Sequence, residues 1–288
     1  MTIRTATWGD FEAVADLLDR RSRAAFGVSQ LTADELRFRW QLPGSDIGWV
    51  AEIDGEIVGY AGLDGTQNVL HAAVDPDVGD ELLARVEERA RERRLDHLAI
   101  TAVPDDVPLW SLVERNGFER SRDILRMWRE FDGDLPEPHW PVGVSVRPYT
   151  AEDGERVHAL LDEAYSDWDR DYIKRDHDDW LAFMTGHEEF DPTLFFLVER
   201  DGELVACALH WRELNRRGWV KDIVVRKSER GRGLGKALLH HAFRAYAERG
   251  VEKVGLKVDS TNPTGAPQLY ERLGFVTDQR LSVWIKRL

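Results

Sequence analysis

The stretch Ile223-Val224-Val225-Arg226-Lys227-Ser228-Glu229-Arg230-Gly231-Arg232-Gly233-Leu234-Gly235-Lys236 decides the reading of this chain. An apolar, β-branched strand ends near Val225. A glycine-rich turn follows, and Leu234, Leu238, Ala242 and Ala245 then recur as one stripe of a helix. The three glycines let the main chain turn tightly and approach a ligand without side-chain clash. The first amides of the helix have no partner inside it, and the helix dipole favours an anion at that end. Arg226, Lys227, Arg230, Arg232 and Lys236 add positive charge around the same point. A pyrophosphate fits such a turn. The spacing is not Gly-x-x-x-x-Gly-Lys-Ser/Thr, which argues against a nucleoside-triphosphate loop. Nor is it Gly-x-Gly-x-x-Gly with an acid about 20 residues on, which argues against a dinucleotide fold.

Working outward, the chain contains a divergent repeat. Trp49–Ala61 reads WVAEIDGEIVGYA, and Phe196–Ala208 reads FLVERDGELVACA. In both, alternating apolar residues flank an Asp-Gly, a strong hairpin signal. Ile3-Arg4 and its following helix pattern recur at Val146-Arg147, and Glu114–Phe118 recurs at Glu271–Phe275. The offset grows from 143 to 157, so the second copy carries insertions. A repeat of this length is a duplicated domain. Between the copies, Asp132–Pro141 holds three prolines in ten residues, which excludes an internal helix or a central strand. The expected organisation is domain 1–131, linker 132–143 and domain 144–288. Elements are expected in the second copy at roughly 144–149, 151–165, 178–186, 193–200, 203–213, 218–226, 232–249, 252–258, 265–272 and 279–287. Strands and helices mixed in this order imply an α/β (α+β) fold with helices on both faces of each sheet.

Length and composition agree. At roughly 100–200 residues per domain, 288 residues favour two domains. Apolar residues make up 42% and charged residues 32%, as in an ordinary folded protein. The longest apolar run, Leu204 to Leu209, is six residues, far below the roughly 20 of a membrane-spanning helix. No apolar stretch of signal-peptide length opens the chain, and the single Cys207 offers neither an internal disulfide nor a zinc set. A cytoplasmic protein without a metal or a membrane partner is expected. A net charge of −14 disfavours nucleic acid, whose phosphates require a basic face. The charge is also divided. Residues 162–191 carry eleven acids and three bases, whereas residues 212–236 carry nine bases and three acids. Opposite blocks in one half predict one subsite for an anion and one for a cation.

With these motifs in place, the sequence resembles the GNAT acyltransferase superfamily. Arg230-Gly231-Arg232-Gly233-Leu234-Gly235 is similar to its Arg/Gln-x-x-Gly-x-Gly/Ala signature. Leu256 to Phe275, with Asn262, Leu269-Tyr270 and Gly274-Phe275, is similar to its later signature. The match covers residues 144–288, and the first copy resembles the same fold more weakly, giving two tandem GNAT-like domains. The resemblance implies acetyl-CoA as cosubstrate, with its pyrophosphate on the amides of Arg230 to Lys236. Its pantetheine arm would pair like a strand with Ile223, Val224 and Val225, and Asn262 would bind that arm or its neighbourhood. Tyr270 would protonate the leaving thiolate during direct acyl transfer to an amine. General chemistry asks for the same parts: a proton donor for the thiolate, a proton acceptor for the amine, and a backbone amide near Val225 for the oxyanion.

Two departures follow. Some members of the family place a catalytic Glu eleven residues before the signature Arg, here Trp219, and others place it five before the Asn, here Lys257. Asp259 is the first candidate base, on the Lys257 face of its strand by alternation. Asp222 is second, with alternation placing it opposite Trp219, and His210 is third. The first copy has Asp75-Pro76-Asp77-Val78-Gly79-Asp80-Glu81 in place of the arginine-rich turn, and Val113 in place of Tyr270. It is expected not to catalyse, because acids there repel a pyrophosphate. The resemblance implies an acceptor side on the segment after the first strand, with Asp162, Glu163, Tyr165, Asp167, Trp168, Asp169, Asp171, Tyr172, Asp176, Asp178, Asp179 and Trp180. Acids with interleaved aromatics suit a small, cationic amine. The leading expectation is an acetyl-CoA-dependent N-acetyltransferase acting from its C-terminal domain. The alternative is a CoA-binding sensor without turnover.

Overall fold

The computed structural model describes residues 1–27, 31–41, 45–64, 68–73, 75–169, 172–186, 190–213 and 216–288. The first copy runs β1 (Thr2–Thr5), α1 (Phe11–Phe26), α2 (Ala33–Gln41), β2 (Asp46–Ile53), β3 (Glu56–Leu63), β4 (Val69–Ala73), α3 (Pro76–Glu92), β5 (His97–Ala102), α4 (Val107–Arg115) and β6 (Glu119–Glu130). The second runs β7 (Ser145–Pro148), α5 (Gly154–Ser166), α6 (His177–Thr185), β8 (Phe190–Arg200), β9 (Glu203–Glu213), β10 (Arg217–Val225), α7 (Leu234–Glu248), β11 (Lys253–Asp259), α8 (Ala266–Arg272) and β12 (Val276–Arg287). Both Asp-Gly pairs close hairpins. Asp54 and Gly55 have φ of 52° and 85°, and Asp201 and Gly202 have 52° and 81°, the doubly left-handed backbone that a two-residue hairpin turn demands.

The chain forms two compact units, Met1–Asp123 with Leu281–Leu288, and Ile124–Arg280. These units do not follow the sequence repeat end to end. In the first, β1, β2, β3 and β4 form an antiparallel sheet, and Asn68 bridges to Ala99 of β5. β5 then pairs antiparallel with Ser282–Arg287, the last strand of the whole chain. In the second, β7, β8, β9 and β10 are antiparallel neighbours, and β10 runs parallel to β11. The far side of β11 pairs with Ile124–Glu130, which belongs to the first copy. Each unit therefore pairs a strand of one copy with a strand of the other.

The cores follow from the alternation. In the second unit α7 lays Leu238, Leu239, Phe243 and Tyr246 on one face of the sheet against Val220, Leu256, Leu125 and Met127. On the other face α5 and α6 set Val157, Leu160, Leu161 and Trp180 against Leu197, Cys207, Leu209 and Val224. In the first unit Leu82, Leu83 and Val86 of α3 cover Leu98, Ile100 and Trp284. An ion network marks the start of each copy. Arg4 bonds Asp10 and Glu52, and Arg147 bonds Asp153 and Glu199 at the corresponding positions. Residues 132–143 form neither helix nor strand. They lie against α7, where Glu137 pairs with Arg244 at 2.9 Å and Trp140 meets His241 at 5.8 Å. Among the described residues no helix is long and apolar enough to cross a membrane.

Candidate functional site

The site is built where β10 and β11 part. Their parallel pairing runs from Arg217↔Lys253 to Val220↔Leu256 and stops, although β10 continues to Val225 and β11 to Asp259. A register shift between Val220 and Asp222 coincides with the parting, while β9 stays paired with β10 as far as Val225↔Ala206. Beyond Val225 a 3₁₀ turn at Lys227–Glu229 leads to Gly231 and Gly233, with φ of 77° and 88°. Side chains other than glycine are strained in that region. Gly233 is the N-cap of α7 and supplies no side-chain cap for the first amides of the helix, which have no partner inside it. Arg230 fixes the turn by donating from Nε to Val225 O at 3.1 Å. The residues expected to hold the pyrophosphate and pantetheine, Ile223–Val225 and Arg230–Lys236, are thus contiguous along one edge and one helix start.

The two charge blocks meet in part. Asp167, at the end of α5, takes Lys227 Nζ at 2.6 Å and an Arg230 guanidinium nitrogen at 2.9 Å. Glu163 lies 3.5 Å from Arg226, and Asp162 holds Lys174 at 2.7 Å and the Tyr172 hydroxyl at 2.6 Å. Asp176 caps α6 by accepting from Asp178 N. Much of the acidic block therefore neutralises the basic one or closes local structure. Asp171 lies outside the described residues.

Tyr270 is buried on α8 with its ring against Phe275 at 5.6 Å. Burial first, and then the field of Asp222, push its phenol up from 10.0, so it stays protonated near neutrality. Two side-chain turns carry β11 into α8. Asp259 Oδ1 accepts from Thr261 N at 2.7 Å and Thr261 Oγ1 at 2.8 Å, and Asn262 Oδ1 accepts from Thr264 N at 2.9 Å and Thr264 Oγ1 at 2.6 Å. Both residues do structural work in the loop that delivers Tyr270, a pattern Asp and Asn favour.

Asp222 stands elsewhere than alternation predicts. Gly218 and Val220 face α7, since a Cβ on Gly218 would meet the Tyr246 ring at 2.5 Å and Val220 lies in the α7 core. Trp219 faces the other way, over Gly255 beside Trp128. A strict period of two would put Asp222 with Val220. The register shift adds a residue and turns Asp222, with Val224, to the α5 face instead. There the Tyr165 hydroxyl donates to Asp222 Oδ1 at 2.5 Å, and Lys221 Nζ lies 3.2 Å from Oδ2. Tyr165 stacks on Tyr172 with ring centroids 5.4 Å apart. Burial and Asp222 push the Tyr165 phenol well up, and the same two causes raise the Cys207 thiol. His210 is fully buried, makes no hydrogen bond from either ring nitrogen, and is pulled down to about 3 by burial. It packs edge-on to Tyr246 on the α7 side.

The first unit's corresponding helix start is closed. Asp75 caps α3 by accepting from Asp77 N at 2.8 Å, Pro76 occupies the first turn, and Asp80 pairs with Arg115 at 2.9 Å. Val113, in the place of Tyr270, is a fully buried core residue.

Comparison with known proteins places these features. The model of the acetyltransferase (GNAT) family matches residues 11–118 and 155–275. The mycothiol acetyltransferase of Streptomyces coelicolor is 33% identical over 243 residues, covering 78% of this chain and 74% of the relative. That of Thermobispora bispora is 32% identical over 309 residues, covering 96% of each. A GCN5-related N-acetyltransferase from Sphaerobacter thermophilus superposes with a TM-score of 0.78 at 27% identity, over 99% of this chain and 95% of that one. A tandem GNAT protein from the clavulanic acid biosynthesis pathway shares the fold, with a TM-score of 0.72 at 19% identity over 99% and 98%.

Proposed function

This chain belongs to the acetyltransferase (GNAT) family and is an N-acetyltransferase with acetyl-CoA as donor, and from that premise we propose that its second copy, residues 144–288, carries the reaction and acts on a small, cationic amine. The observation that carries the reading is the contrast between the two helix starts. α7 opens on Gly233 with uncapped amides and arginines around them, whereas α3 opens on a self-capped Asp75 among further acids. A pyrophosphate gains from the first and is repelled by the second.

In this reading the amides of Arg230 to Lys236 take the pyrophosphate, and the free edge of Ile223–Val225 pairs with pantetheine. Asn262, whose Oδ1 is committed to its turn, offers Nδ2 to that arm. Tyr270 supplies the proton to the departing thiolate, which its elevated phenol retains until the sulfur becomes basic. A main-chain amide beside Val225 stabilises the oxyanion. The acceptor lies on the α5 side, where Tyr165, Tyr172 and Asp222 form an aromatic and anionic wall for an ammonium or amino group. The first copy, residues 1–131, has no catalytic part, and the setting is cytoplasmic.

Calorimetric titration of acetyl-CoA tests this. One site per chain, abolished by Gly233→Val and untouched by Asp75→Ala, is the expected result. Two sites, or a site lost with Asp75→Ala, would overturn the assignment to the second copy. A panel of primary amines, with mycothiol-type acceptors first because of the relatives' name, then identifies the acceptor by release of CoA thiol.

A further inference from the structure

We propose that Asp222 is the proton acceptor of the transfer and that Tyr165 is the positioning residue that holds its carboxylate toward the amine. The inference rests on the C-terminal reading above. Neither Trp219 nor Lys257 supplies a carboxylate at the positions where the family's acids were expected. The register shift in β10 brings one in at a different place. It rotates Asp222 onto the α5 face at the point where β10 leaves β11, which is where a thioester threaded along Ile223–Val225 would end.

The surroundings of Asp222 select it over Asp259. Asp259 spends Oδ1 on the Thr261 amide and hydroxyl, in a turn that the chain needs in order to place α8. Among the described residues Asp222 takes one hydrogen bond at each oxygen, from Tyr165 at 2.5 Å and from Lys221 at 3.2 Å. Each oxygen keeps a second lone-pair site for a ligand proton. The groups facing it are Lys221 on its own strand, Tyr165 from α5, Tyr172 from beyond α5, Cys207 from β9 and Tyr270 from α8. The phenols and the thiol are raised by burial and neutral at pH 7, so Asp222 is the one carboxylate of this group.

The step balances within it. The amine nitrogen attacks the thioester carbonyl, forming C–N while the C=O pair moves onto oxygen. The nitrogen becomes acidic as it is acylated and passes its proton to Asp222. The oxyanion collapses, C–S breaks, and the thiolate takes the Tyr270 proton. Asp222 then returns its proton to the Tyr270 phenolate directly or through water, leaving amide, CoA thiol and the starting enzyme.

The test follows release of CoA thiol from acetyl-CoA, with the best amine of the panel or with water alone, as a function of pH. Asp222→Asn should lower kcat by about 100-fold with acetyl-CoA affinity retained. Tyr165→Phe removes a donor that favours the ionised carboxylate, so the acid limb of kcat/KM should move up by about one pH unit. The KM for acetyl-CoA should hold. Incorporating 3-fluorotyrosine at 165, a stronger donor of the same shape, should move the limb down, and it answers the question if Tyr165→Phe fails to fold. A limb that stays in place in both variants refutes the positioning role. Greater loss in Asp259→Asn than in Asp222→Asn overturns the choice of acceptor. If Tyr270→Phe lowers turnover and Asp222→Asn does not, this inference alone fails. If neither does, the C-terminal reading fails with it.

Discussion

Expressing residues 144–288 alone, the piece that the repeat marks out, deletes Ile124–Glu130 from the second unit. Those seven residues pair one to one with Lys253–Asp259, so β11 loses its whole antiparallel neighbour. Leu125 and Met127 leave the α7 core, where they are 8% and 0% exposed. Burying a Leu or Met side chain is worth about 1.5–3 kcal/mol, so the two account for about 3–6 kcal/mol. Val254, Leu256 and Val258 also lose cover, and an unpaired strand edge appears beside the proposed acetyl-CoA site. A domain's net stability is about 5–15 kcal/mol, so the loss is comparable to the whole. The same unit with its strand restored, residues 124–280, is the control. Urea unfolding followed by fluorescence, together with acetyl-CoA calorimetry, reads both. The 144–288 piece should show no cooperative transition and no binding, while 124–280 should show both. A cooperative transition for 144–288 within about 1 kcal/mol of the 124–280 value, with equal acetyl-CoA affinity, would refute the strand-exchange argument.

Gly233→Ala forces a side chain onto φ of 88°, a cost of about 1–3 kcal/mol, and should weaken acetyl-CoA binding about tenfold or more in a titration. Tyr270→Phe should lower kcat by about 100-fold without changing the acetyl-CoA dissociation constant if, as proposed, the phenol acts on the leaving sulfur alone. Asp153 is held well below its ordinary 3.8, first by its hydrogen bond from Arg147. Its stabilisation is therefore complete above that value and is lost as pH falls below it. Asp153→Asn should cost about 1.5–3 kcal/mol at pH 7, and denaturant midpoints of the two proteins should converge as pH drops below about 4. Asp167→Asn frees Lys227 and Arg230 from a competing carboxylate, and acetyl-CoA should bind a few-fold more tightly at low salt, with the gain fading as salt rises.

The parts of this protein that local chemistry dictates were legible in the residues. Gly231, Gly233 and the stripe from Leu234 announced a helix start open to an anion, because left-handed φ and unpaired first-turn amides depend on near neighbours alone. The two Asp-Gly hairpins and the duplicated order of elements were readable for the same reason. The acidic and basic blocks were visible, but not that Asp167 and Glu163 would be matched to Lys227, Arg230 and Arg226, since those partners lie about 60 residues apart in sequence. Alternation assigned Asp222 to the wrong face because it assumes a period of two, and the register shift after Val220 comes from how β10 pairs with β9. Nor does any motif record that Ile124–Glu130 and Ser282–Arg287 would each pair with a strand of the other copy. A strand's apolar pattern states that it needs a neighbour. With two copies of one strand order in one chain, only the packing of the finished fold decides which neighbour it gets.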